Sequence, residues 1–327
     1  MQRQKPELKP EFKERIKQLL TNEDDFKQYI EILDILPVRS IRCNPLKITP
    51  EKLKKRLEKK GWKIKQPWKN YPEVMIIEGD KKGNDLAPGE LGRALEHLLG
   101  YYYIQELSSM LPIIALTPKP EEKLLDLCAA PGSKTTQAAA LMKNTGNIIA
   151  NELSMGRLSI LASNLERCGA TNTIITKKEG SALSNRLKNQ EIEFDKILID
   201  APCSGEGTLR SSPKTYLMWN PKNIQSLSRL QKKLVSSAIK LLKKNGELVY
   251  STCTHAPEEN EEIVDFIINN FPELQIQELQ LPIKTRSGIT SWKEKEYSEK
   301  VKLSQRVYPH DNNTEGFFIA KFKRVKG

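Results

Sequence analysis

The chain from residue 123 onward alternates short apolar segments with helical segments, and this alternation constrains its fold more than any other feature. The apolar segments are rich in Ile, Leu or Val, which is typical of parallel strands covered on both faces. We predict strands at 123–127, 147–151, 173–176, 194–199 and 247–251, and two more near 274–281 and 317–322. We predict helices at 134–142, 157–168, 223–242 and 258–269. Strands that alternate with helices in this way indicate a seven-stranded, doubly wound α/β sheet.

The first hundred residues have a mixed pattern that predicts a smaller α+β domain. Helical spacing is present at 11–20 and 50–60, and a strand is indicated at 74–78. The regular alternation begins only after Pro118-Lys-Pro120. We therefore divide the chain into an amino-terminal domain of residues 1–104 and a second domain of residues 105–327.

The chain carries 53 basic and 41 acidic residues, a formal net charge of +12, which favours a polyanionic partner. A Lys/Glu-rich surface from a thermophilic source would give a similar excess, so the distribution of charge is more informative than its total. Twelve basic residues and two acidic ones lie between Arg39 and Lys69. Trp62 and Trp68 in this stretch could stack on nucleobases, although a core position is the commoner role of such a tryptophan.

No apolar run is long enough for a membrane helix, and the amino terminus has no apolar signal core, so we expect a cytoplasmic protein. The five cysteines, at 43, 128, 168, 203 and 253, have no paired spacing, which argues against a disulfide framework and a zinc site. Since the sequence has only three histidines, we expect free thiols and no metal centre.

In an open α/β sheet, ligands bind at the carboxyl ends of the strands, so the turn after the first strand is the first candidate site. It reads Leu124-Leu-Asp-Leu-Cys-Ala-Ala-Pro-Gly-Ser-Lys-Thr-Thr136, which matches neither the dinucleotide fingerprint nor a Walker loop. Small residues and one glycine let the backbone approach a ligand closely before a helix begins. Glu152, after the second strand, suits the ribose hydroxyls of an adenosine-containing ligand. Glu179 and Asp200 follow the next two strands, so three acidic residues share one edge.

Two cysteines also follow strands, Cys203 in Asp200-Ala-Pro-Cys-Ser-Gly-Glu-Gly207 and Cys253 in Ser251-Thr-Cys-Thr254. A lone cysteine is most often a small buried hydrophobic residue, but two at the same edge of a sheet favour a chemical role. A thiolate can add to an electron-poor ring carbon when its pKa is lowered by its surroundings. The sequence therefore predicts a nucleophilic thiol at this edge.

The segments 125–135, 200–207 and 251–254 together resemble the signature motifs of the Sun/NOL/NOP family of RNA cytosine-5 methyltransferases. The resemblance extends over nearly the whole chain, from Asn44-Pro-Leu-Lys47 through Gln105-Glu-Leu-Ser-Ser109 to Glu315-Gly-Phe-Phe318. In size, the chain is most similar to archaeal tRNA methyltransferases of this family. The resemblance implies a class I methyltransferase (Rossmann-like) fold for the sheet and S-adenosyl-L-methionine as methyl donor.

The resemblance also implies where the cofactor binds. Glu152 would hold the ribose hydroxyls, and Glu179 would lie beside the adenine, at a position where many relatives have Asp. Arg157 matches a basic position near the cofactor, and Asp200 would border the cofactor as well as the base. The loop residues that would surround the methionine and ribose are Cys128, Ala129, Ala130, Pro131, Gly132, Ser133 and Lys134.

For the reaction, the resemblance implies four catalytic residues. The Cys253 thiolate would add to C6 of cytosine, which makes C5 nucleophilic enough to take a methyl group. Asp200 would hydrogen-bond N3 and the exocyclic amine, and Lys134 would help to hold Asp200. Cys203 would assist loss of the C5 proton and release of the product. The target base must be unpaired or flipped out of its helix.

The basic amino-terminal region would position RNA by contacting phosphates without reading sequence. We expect a monomer that acts on tRNA, with ribosomal RNA as the alternative substrate. A partner protein that directs the choice of cytosine is compatible with the sequence. The residues that we expect to contact RNA are Arg39, Arg42, Lys52, Lys54, Lys55 and Arg56.

Three other functions fit parts of the sequence. A hydride-transferring enzyme with a dinucleotide fold would need the glycine fingerprint, which is missing. A cysteine hydrolase could use Cys253 with His255, but no third orienting group is evident. A non-catalytic RNA-binding or ribosome-assembly protein could keep the same fold, but the presence of both cysteines and of Asp200 argues against it.

Overall fold

The computed structural model describes residues 7–20 and 22–325. It begins with two helices, α1 (Pro10–Leu19) and α2 (Glu23–Ile32). Their apolar faces pack on the second half of the chain, where Phe12 meets the Trp219 ring edge-on with centroids 5.4 Å apart. Asp25 of α2 is held by an ion pair with Arg286 at 2.5 Å. By packing, these two helices therefore belong with the larger part of the fold.

A four-stranded antiparallel sheet forms the rest of the amino-terminal region. Its elements are β1 (Ser40–Cys43), α3 (Pro50–Lys59), β2 (Trp62–Lys65), β3 (Val74–Asp80), α4 (Glu90–Arg93), α5 (Leu95–Leu98) and β4 (Tyr102–Ile104). The strand order is β2-β3-β1-β4. Helix α3 buries Leu53 and Leu57 against this sheet and leaves its charged face outside. Trp62 and Trp68 are both buried, so each is a core residue and neither is available to stack on a nucleobase.

The remaining strands form a nine-stranded sheet and a separate two-stranded hairpin. They are β5 (Lys123–Asp126), β6 (Asn147–Asn151), β7 (Thr173–Thr176), β8 (Phe194–Asp200), β9 (Leu242–Thr252), β10 (Leu274–Gln277), β11 (Arg286–Ser287), β12 (Ser291–Trp292), β13 (Lys295–Glu296), β14 (Gln305–Val307) and β15 (Phe317–Arg324). The sheet order is β11-β14-β15-β9-β8-β5-β6-β7, with β10 also paired to β15, and β12 and β13 form the hairpin. Strands β5 to β9 are parallel and β15 is antiparallel to β9. The seven expected strands are present, and the short strands β11 and β14 extend one edge.

Helices cover both faces of the large sheet, as the sequence predicts. They are α6 (Leu107–Leu116), α7 (Ser133–Leu141), α8 (Met155–Cys168), α9 (Gly180–Asn189), α10 (Pro213–Met218), α11 (Pro221–Ala238), α12 (Glu261–Asn270) and α13 (Pro309–Asn312). Alternate strand residues point to opposite faces. Leu124 and Leu198 pack with the side of α6 and α7, whereas Leu125 and Ile197 pack with the side of α9, α11 and α12. No helix within residues 7–20 and 22–325 is long and apolar enough to cross a membrane.

The helix predicted at 223–242 ends earlier than its sequence pattern indicates. Helix α11 ends at Ala238, a short 3₁₀ turn covers Ile239–Leu241, and β9 begins at Leu242. Leu242 pairs with Phe194 of β8, and Asn245 takes a left-handed conformation with φ 64° where the pairing shifts register. The Lys-rich segment before Gly246 is therefore the start of a strand, because pairing with β8 overrides the local helix signal.

The amino-terminal sheet is fastened to the large sheet by side chains of the Asn44–Lys47 motif. Asn44 donates from Nδ2 to the carbonyls of Gly100 and Cys168, at 2.9 and 2.7 Å. Lys47 donates from Nζ to the carbonyl of Leu99 at 3.0 Å and to that of Arg167 at 2.7 Å. Both residues thus join the end of α5 to the carboxyl end of α8.

Candidate active site

The loop between β5 and α7 forms a tight cradle at the carboxyl edge of the sheet. Gly132 caps α7 with φ 100°, a backbone conformation that favours glycine. A Cβ atom at Gly132 would lie 2.9 Å from Leu161 Cδ1, so the Leu161 side chain would have to shift to admit it. Arg157 donates from Nη2 to the carbonyl of Ala130 at 2.6 Å and fixes the middle of the loop.

Asp126, the last residue of β5, places a buried carboxyl group beneath this cradle. Its Oδ2 accepts a hydrogen bond from Thr135 Oγ1 at 2.7 Å, whereas its Oδ1 has no partner in the described part of the chain. Burial raises the pKa of Asp126 to about 7. An unpaired oxygen at this edge is suited to a bound ligand that carries a hydrogen-bond donor.

Glu152 and Glu179 lie beyond β6 and β7, on the same edge as the cradle. Glu152 is buried, accepts the backbone N–H of Ser154 at 2.8 Å, and lies 3.3 Å from the Arg157 guanidinium. Glu179 caps α9 by accepting the N–H of Ala182 at 2.9 Å. These acidic groups and the loop give the donor and acceptor set that an adenosine-containing cofactor needs, so the residues fit the expected cofactor.

Lys134 and Asp200 form an ion pair next to the cradle, with Nζ and Oδ2 2.7 Å apart. Ser251 Oγ donates to the other Asp200 oxygen at 2.8 Å, and Lys134 also donates to Ser109 Oγ at 3.1 Å. The Lys134 ammonium lies 5.3 Å from the centre of the Phe317 ring. Four different elements therefore fix the orientation of the Asp200 carboxylate.

Cys203 and Cys253 meet where the loops after β8 and β9 run side by side. Their Sγ atoms are 3.2 Å apart, within hydrogen-bonding distance for sulfur. The hydrogen bond with Cys253 and burial raise the pKa of the Cys203 thiol well above its usual value, so Cys203 keeps its proton. The other three cysteines are also free thiols, and Cys43 and Cys168 are buried.

A network behind the two thiols holds their loops in place. Glu259 is buried and accepts the N–H of Ser204 at 3.1 Å and Gln231 Nε2 at 2.9 Å. Ser204 and Thr254 share a hydrogen bond between their hydroxyls at 2.7 Å. Burial raises the pKa of Glu259 to about 7. The residues that follow each cysteine are thus tied to one buried carboxyl group.

Backbone hydrogen bonds link the Cys253 loop to the segment before β15. The N–H of Gly207 donates to the carbonyl of Cys253 at 2.9 Å, and the N–H of Gly316 donates to the carbonyl of Gly207 at 2.8 Å. Gly207 and Gly316 pack so closely that a Cβ at either position would clash with backbone of the other. Glu315 is therefore held at a fixed place relative to Cys253.

A cavity of about 390 Å³ opens between the two sheets and brings the reactive groups together. Lys134, Asp200, Cys253 and Arg39 all line it. Glu106, Ser211 and Glu315 also line the cavity. Its volume is sufficient for a single nucleotide. Glu106 and Glu315 belong to motifs of the family resemblance, but no local sequence pattern marks either of them as a site residue.

The six residues expected to contact RNA have different surroundings. Lys52 and Lys55 are exposed on α3, and Arg56 is exposed but paired with Glu96 at 2.7 Å. Lys54 is half-buried and donates to Gln66 at 3.3 Å. Arg39 donates to the carbonyl of Leu86 at 2.7 Å.

Arg42 was expected to contact RNA, and this expectation is wrong because its side chain is buried. Its guanidinium donates to Gln105 Oε1, to the carbonyl of Ser133 at 2.7 Å and to Thr136 Oγ1 at 2.9 Å. Burial lowers the pKa of Arg42 to about 10. Arg42 thus joins β1 to the first turn of α7 and is not available to a phosphate.

His255 does not form a catalytic pair with Cys253. It is buried, its ring stacks on Tyr308 with centroids 5.0 Å apart, and its Nε2 has no hydrogen-bond partner among the described residues. Burial lowers the pKa of His255 to about 3. This geometry does not support a cysteine hydrolase. Residues 7–20 and 22–325 contain no group of three or more His, Cys, Asp or Glu side chains that could hold a metal ion.

Two family descriptions match adjoining parts of the chain. Residues 113–323 match the family described as 16S rRNA methyltransferase RsmB/F, and residues 8–107 match the N-terminal domain of 16S rRNA methyltransferase RsmF. The first match alone covers more than half of the chain.

Among curated relatives, the chain is 40% identical over 324 residues to a tRNA (cytosine(49)-C(5))-methyltransferase of Pyrococcus abyssi, covering 98% of this chain and 100% of the relative. It is 37% identical over 327 residues to ribosomal RNA small subunit methyltransferase F of Psychromonas ingrahamii, covering 98% of this chain but only 64% of that protein. The chain thus spans the full length of the archaeal relative and less than two thirds of the bacterial one.

Solved structures give the same result for the fold. A methyltransferase homologue from Pyrococcus horikoshii superposes with a TM-score of 0.77 at 33% identity, covering 97% of this chain and 100% of that chain. The structure of NSun6 from Pyrococcus horikoshii with SFG gives a TM-score of 0.79 at 28% identity, covering 98% of this chain and 99% of that chain. The expected fold, family and cofactor are confirmed. The chain therefore belongs to the RsmB/F, or Sun, family of S-adenosylmethionine-dependent RNA cytosine-C5 methyltransferases.

Proposed function

We propose that this chain methylates C5 of a cytosine in tRNA through a covalent bond between Cys253 and C6 of the base. The observation that carries the proposal is the pair of sulfur atoms 3.2 Å apart, of which Cys253 lines the same nucleotide-sized cavity as the Lys134–Asp200 ion pair. Two thiols and one oriented carboxylate are the groups that this chemistry requires.

The cradle after β5 is the proposed site of the cofactor. The loop Cys128–Gly132 and the start of α7 at Ser133 and Lys134 would surround the methionine part, with the free oxygen of Asp126 available to its ammonium group. Glu152 would hold the ribose, Arg157 would keep the loop in shape, and Glu179 would lie towards the adenine. S-adenosylmethionine supplies an electrophilic methyl group when it is bound.

Cys253 acts as the nucleophile in this proposal. Cys203 keeps its proton and can donate a hydrogen bond to the Cys253 sulfur, while the Cys253 thiol releases its own proton to solvent as the sulfur bonds to C6. The bond between sulfur and C6 moves electron density to C5 and N3 of the ring. C5 is then nucleophilic enough to take the methyl group.

Asp200 holds the base while the ring accepts this charge. Its carboxylate is paired with Lys134 and accepts a hydrogen bond from Ser251, so it is oriented to accept the exocyclic amine of cytosine. An amine at that place distinguishes cytosine from uracil, which has a carbonyl there.

Cys203 assists release of the product. Once Cys253 is bonded to carbon, the hydrogen bond that contributes most to holding the proton on Cys203 is lost. Cys203 can then release its proton to solvent, and the resulting thiolate accepts the proton from C5. The electrons of the C5–H bond restore the C5–C6 double bond, and the Cys253 sulfur leaves as a thiolate.

The substrate class rests on two different observations. The relative that this chain matches over its full length is a tRNA methyltransferase, which supports tRNA as the substrate. The family descriptions and the bacterial relatives name ribosomal RNA, which makes ribosomal RNA the second candidate. The exposed cations of α3 would contact phosphates in either case, and we propose that a single copy of the chain is sufficient.

Methyl transfer from labelled S-adenosylmethionine tests the proposal directly. Unmodified tRNA and unmodified ribosomal RNA are incubated with the protein, and the modified position is mapped by bisulfite sequencing. We expect 5-methylcytosine in tRNA. Methylation of ribosomal RNA alone would show that ribosomal RNA, and not tRNA, is the substrate. RNA binding without methylation of either RNA would favour a non-catalytic assembly factor.

A further inference from the structure

Glu315 is a buried acidic residue beside the reactive groups, and the proposed reaction gives it no task. Its side chain is 5% exposed and lines the same cavity as Cys253 and Asp200. Neither of its carboxyl oxygens has a hydrogen-bond partner within the described residues, although Ser211 approaches closely enough to act against the rise in its pKa. A buried carboxyl group without partners destabilises a fold, so its presence calls for an explanation.

The position of Glu315 is closely fixed. Its own N–H donates to Glu106 Oε1 at 3.0 Å, and the next residue, Gly316, is bonded through Gly207 to the carbonyl of Cys253. The backbone of Glu315 is therefore held in a fixed position relative to Cys253.

No cation among the described residues forms a hydrogen bond or ion pair with the Glu315 carboxyl group. Arg210 is the positive charge that acts on it, but each of the three Arg210 nitrogens donates elsewhere: Nε to the carbonyl of Ile35 at 2.9 Å, Nη1 to that of Thr314 at 2.6 Å, and Nη2 to Asn313 Oδ1 at 2.5 Å. Burial and the nearby Glu106 carboxylate raise the pKa of Glu315 to about 7. The Glu315 carboxyl group is thus free to bind a hydrogen-bonding ligand and has a second acidic side chain, Glu106, beside it.

The chemistry of Glu315 limits what it can recognise. An acidic group beside a second carboxylate repels phosphate, so it is not a contact to the RNA backbone. It needs a ligand that offers an O–H or N–H. In a cytidine nucleotide, those donors are the exocyclic amine, which Asp200 takes in the proposed function, and the hydroxyl groups of the ribose.

We propose that Glu315 recognises the 2′-hydroxyl of the target nucleotide and thereby makes the cavity selective for a ribonucleotide. This inference rests on the proposed function, since it assumes that Asp200 binds the base. The 2′-hydroxyl is the group that distinguishes RNA from DNA at a given nucleotide. Ser211 lines the cavity next to Glu315 and could share that hydroxyl.

The test compares two tRNAs that differ only in the 2′-oxygen of the target nucleotide. After the methylated cytosine has been mapped, two tRNAs are ligated that carry cytidine or 2′-deoxycytidine at that position and are otherwise identical. For the wild type, kcat/KM should be about 10- to 100-fold higher on cytidine, the loss expected for a hydrogen bond to an acidic group. For Glu315→Ala, the ratio should fall towards one, because the rate on cytidine drops while the rate on deoxycytidine changes little.

A second variant and a control keep the test decisive. Glu315→Gln keeps the volume of the side chain and one acceptor oxygen, so it should fold and retain part of the ratio. Glu294→Ala removes an exposed carboxylate in the turn between β12 and β13 and should leave the ratio unchanged.

Three results would overturn the inference. The wild type could use both tRNAs equally, or both Glu315 variants could keep the wild-type ratio. Equal losses on the two tRNAs for Glu315→Ala would give Glu315 a structural role instead. Failure of the wild type to methylate either tRNA would reject the proposed function itself, and this inference with it.

Discussion

The sulfur atom of Cys203 lies 3.2 Å from that of Cys253, although the two residues are 50 positions apart in sequence and belong to different loops. The contact exists because β8 and β9 are parallel neighbours whose carboxyl ends meet at the same edge. In the proposed reaction the two thiols have different tasks: one sulfur bonds to the base, and the other transfers a proton.

Substitution of each cysteine should therefore have a different effect. Cys253→Ala should abolish methylation and form no covalent complex with RNA. Cys203→Ala should form the bond to C6 but release it slowly, so a protein–RNA adduct should accumulate on a denaturing gel. Cys168→Ala, a buried thiol outside the cavity, is the control and should form no excess adduct. Adduct in Cys253→Ala, or none in Cys203→Ala, would contradict the assigned roles.

Removal of the charge on Lys134 should slow the reaction through Asp200. Lys134→Gln leaves the Asp200 carboxylate without the ammonium group 2.7 Å away, and we expect kcat to fall on the order of 100- to 1,000-fold. Ser109→Ala removes only the hydrogen bond to Lys134, so its loss should be less than about tenfold. Single-turnover rates at saturating RNA measure both variants. Similar losses in the two would show that the ion pair is not the important contact.

Reversal of charge on α3 should weaken RNA binding in a salt-dependent way. We expect Lys52→Glu with Lys55→Glu to raise the Kd for tRNA by about tenfold or more at moderate salt, and to lower the slope of log K against log salt by about one for each lost phosphate contact. Lys188→Glu with Lys244→Glu makes the same change in net charge on exposed residues at the opposite edge of the large sheet. Unchanged affinity and salt slope in the α3 variant would show that α3 does not contact RNA. An equal effect in the control variant would show that only the net charge matters.

The buried carboxyl group of Glu259 should make stability depend on pH. Burial raises its pKa from 4.5 to about 7, so the folded protein holds a proton that the unfolded chain releases between these values. The contribution of Glu259 to stability is therefore present below pH 4.5 and is lost as the pH rises towards 7. The loss amounts to about 3 kcal/mol at most.

Glu259→Gln removes this titration while it keeps the side-chain shape. Urea unfolding at pH 5, 6, 7 and 8 should show the wild type losing stability relative to the variant up to about pH 7, with a constant difference above it. A difference that is constant from pH 5 to 8 would show that Glu259 is not protonated in the folded state.

Local sequence patterns predicted the central strands well because each strand is a short apolar run between helices. Strands 147–151 and 173–176 lie where they were expected. The prediction failed where pairing decides the outcome, as at Leu242, which continues a helical pattern but joins a strand. The short strands β11 and β14 have too few residues to form an apolar pattern of their own.

From the sequence, the site residues that could be predicted are those at or after the carboxyl end of a predicted strand. Lys134, Asp200, Cys203 and Cys253 are such residues, and the structure brings them together. Glu315 and Glu106 meet through a hydrogen bond between positions 209 residues apart, which no local pattern reveals. Arg42 was expected at the surface because it lies in a basic segment, but burial of its guanidinium depends on the packing of β1 against α7.

The fastening of the amino-terminal sheet by Asn44 and Lys47 has a consequence for the choice of nucleotide. The hydrogen bonds of Asn44 and Lys47 tie the amino-terminal sheet, whose helix α3 carries the cations that would contact the RNA backbone, to α8 of the part of the fold that carries Cys253. This connection would fix the distance along the RNA between the contacted phosphates and the target cytosine. Adding a base pair between the contacted RNA helix and the target cytosine should therefore shift methylation to another nucleotide.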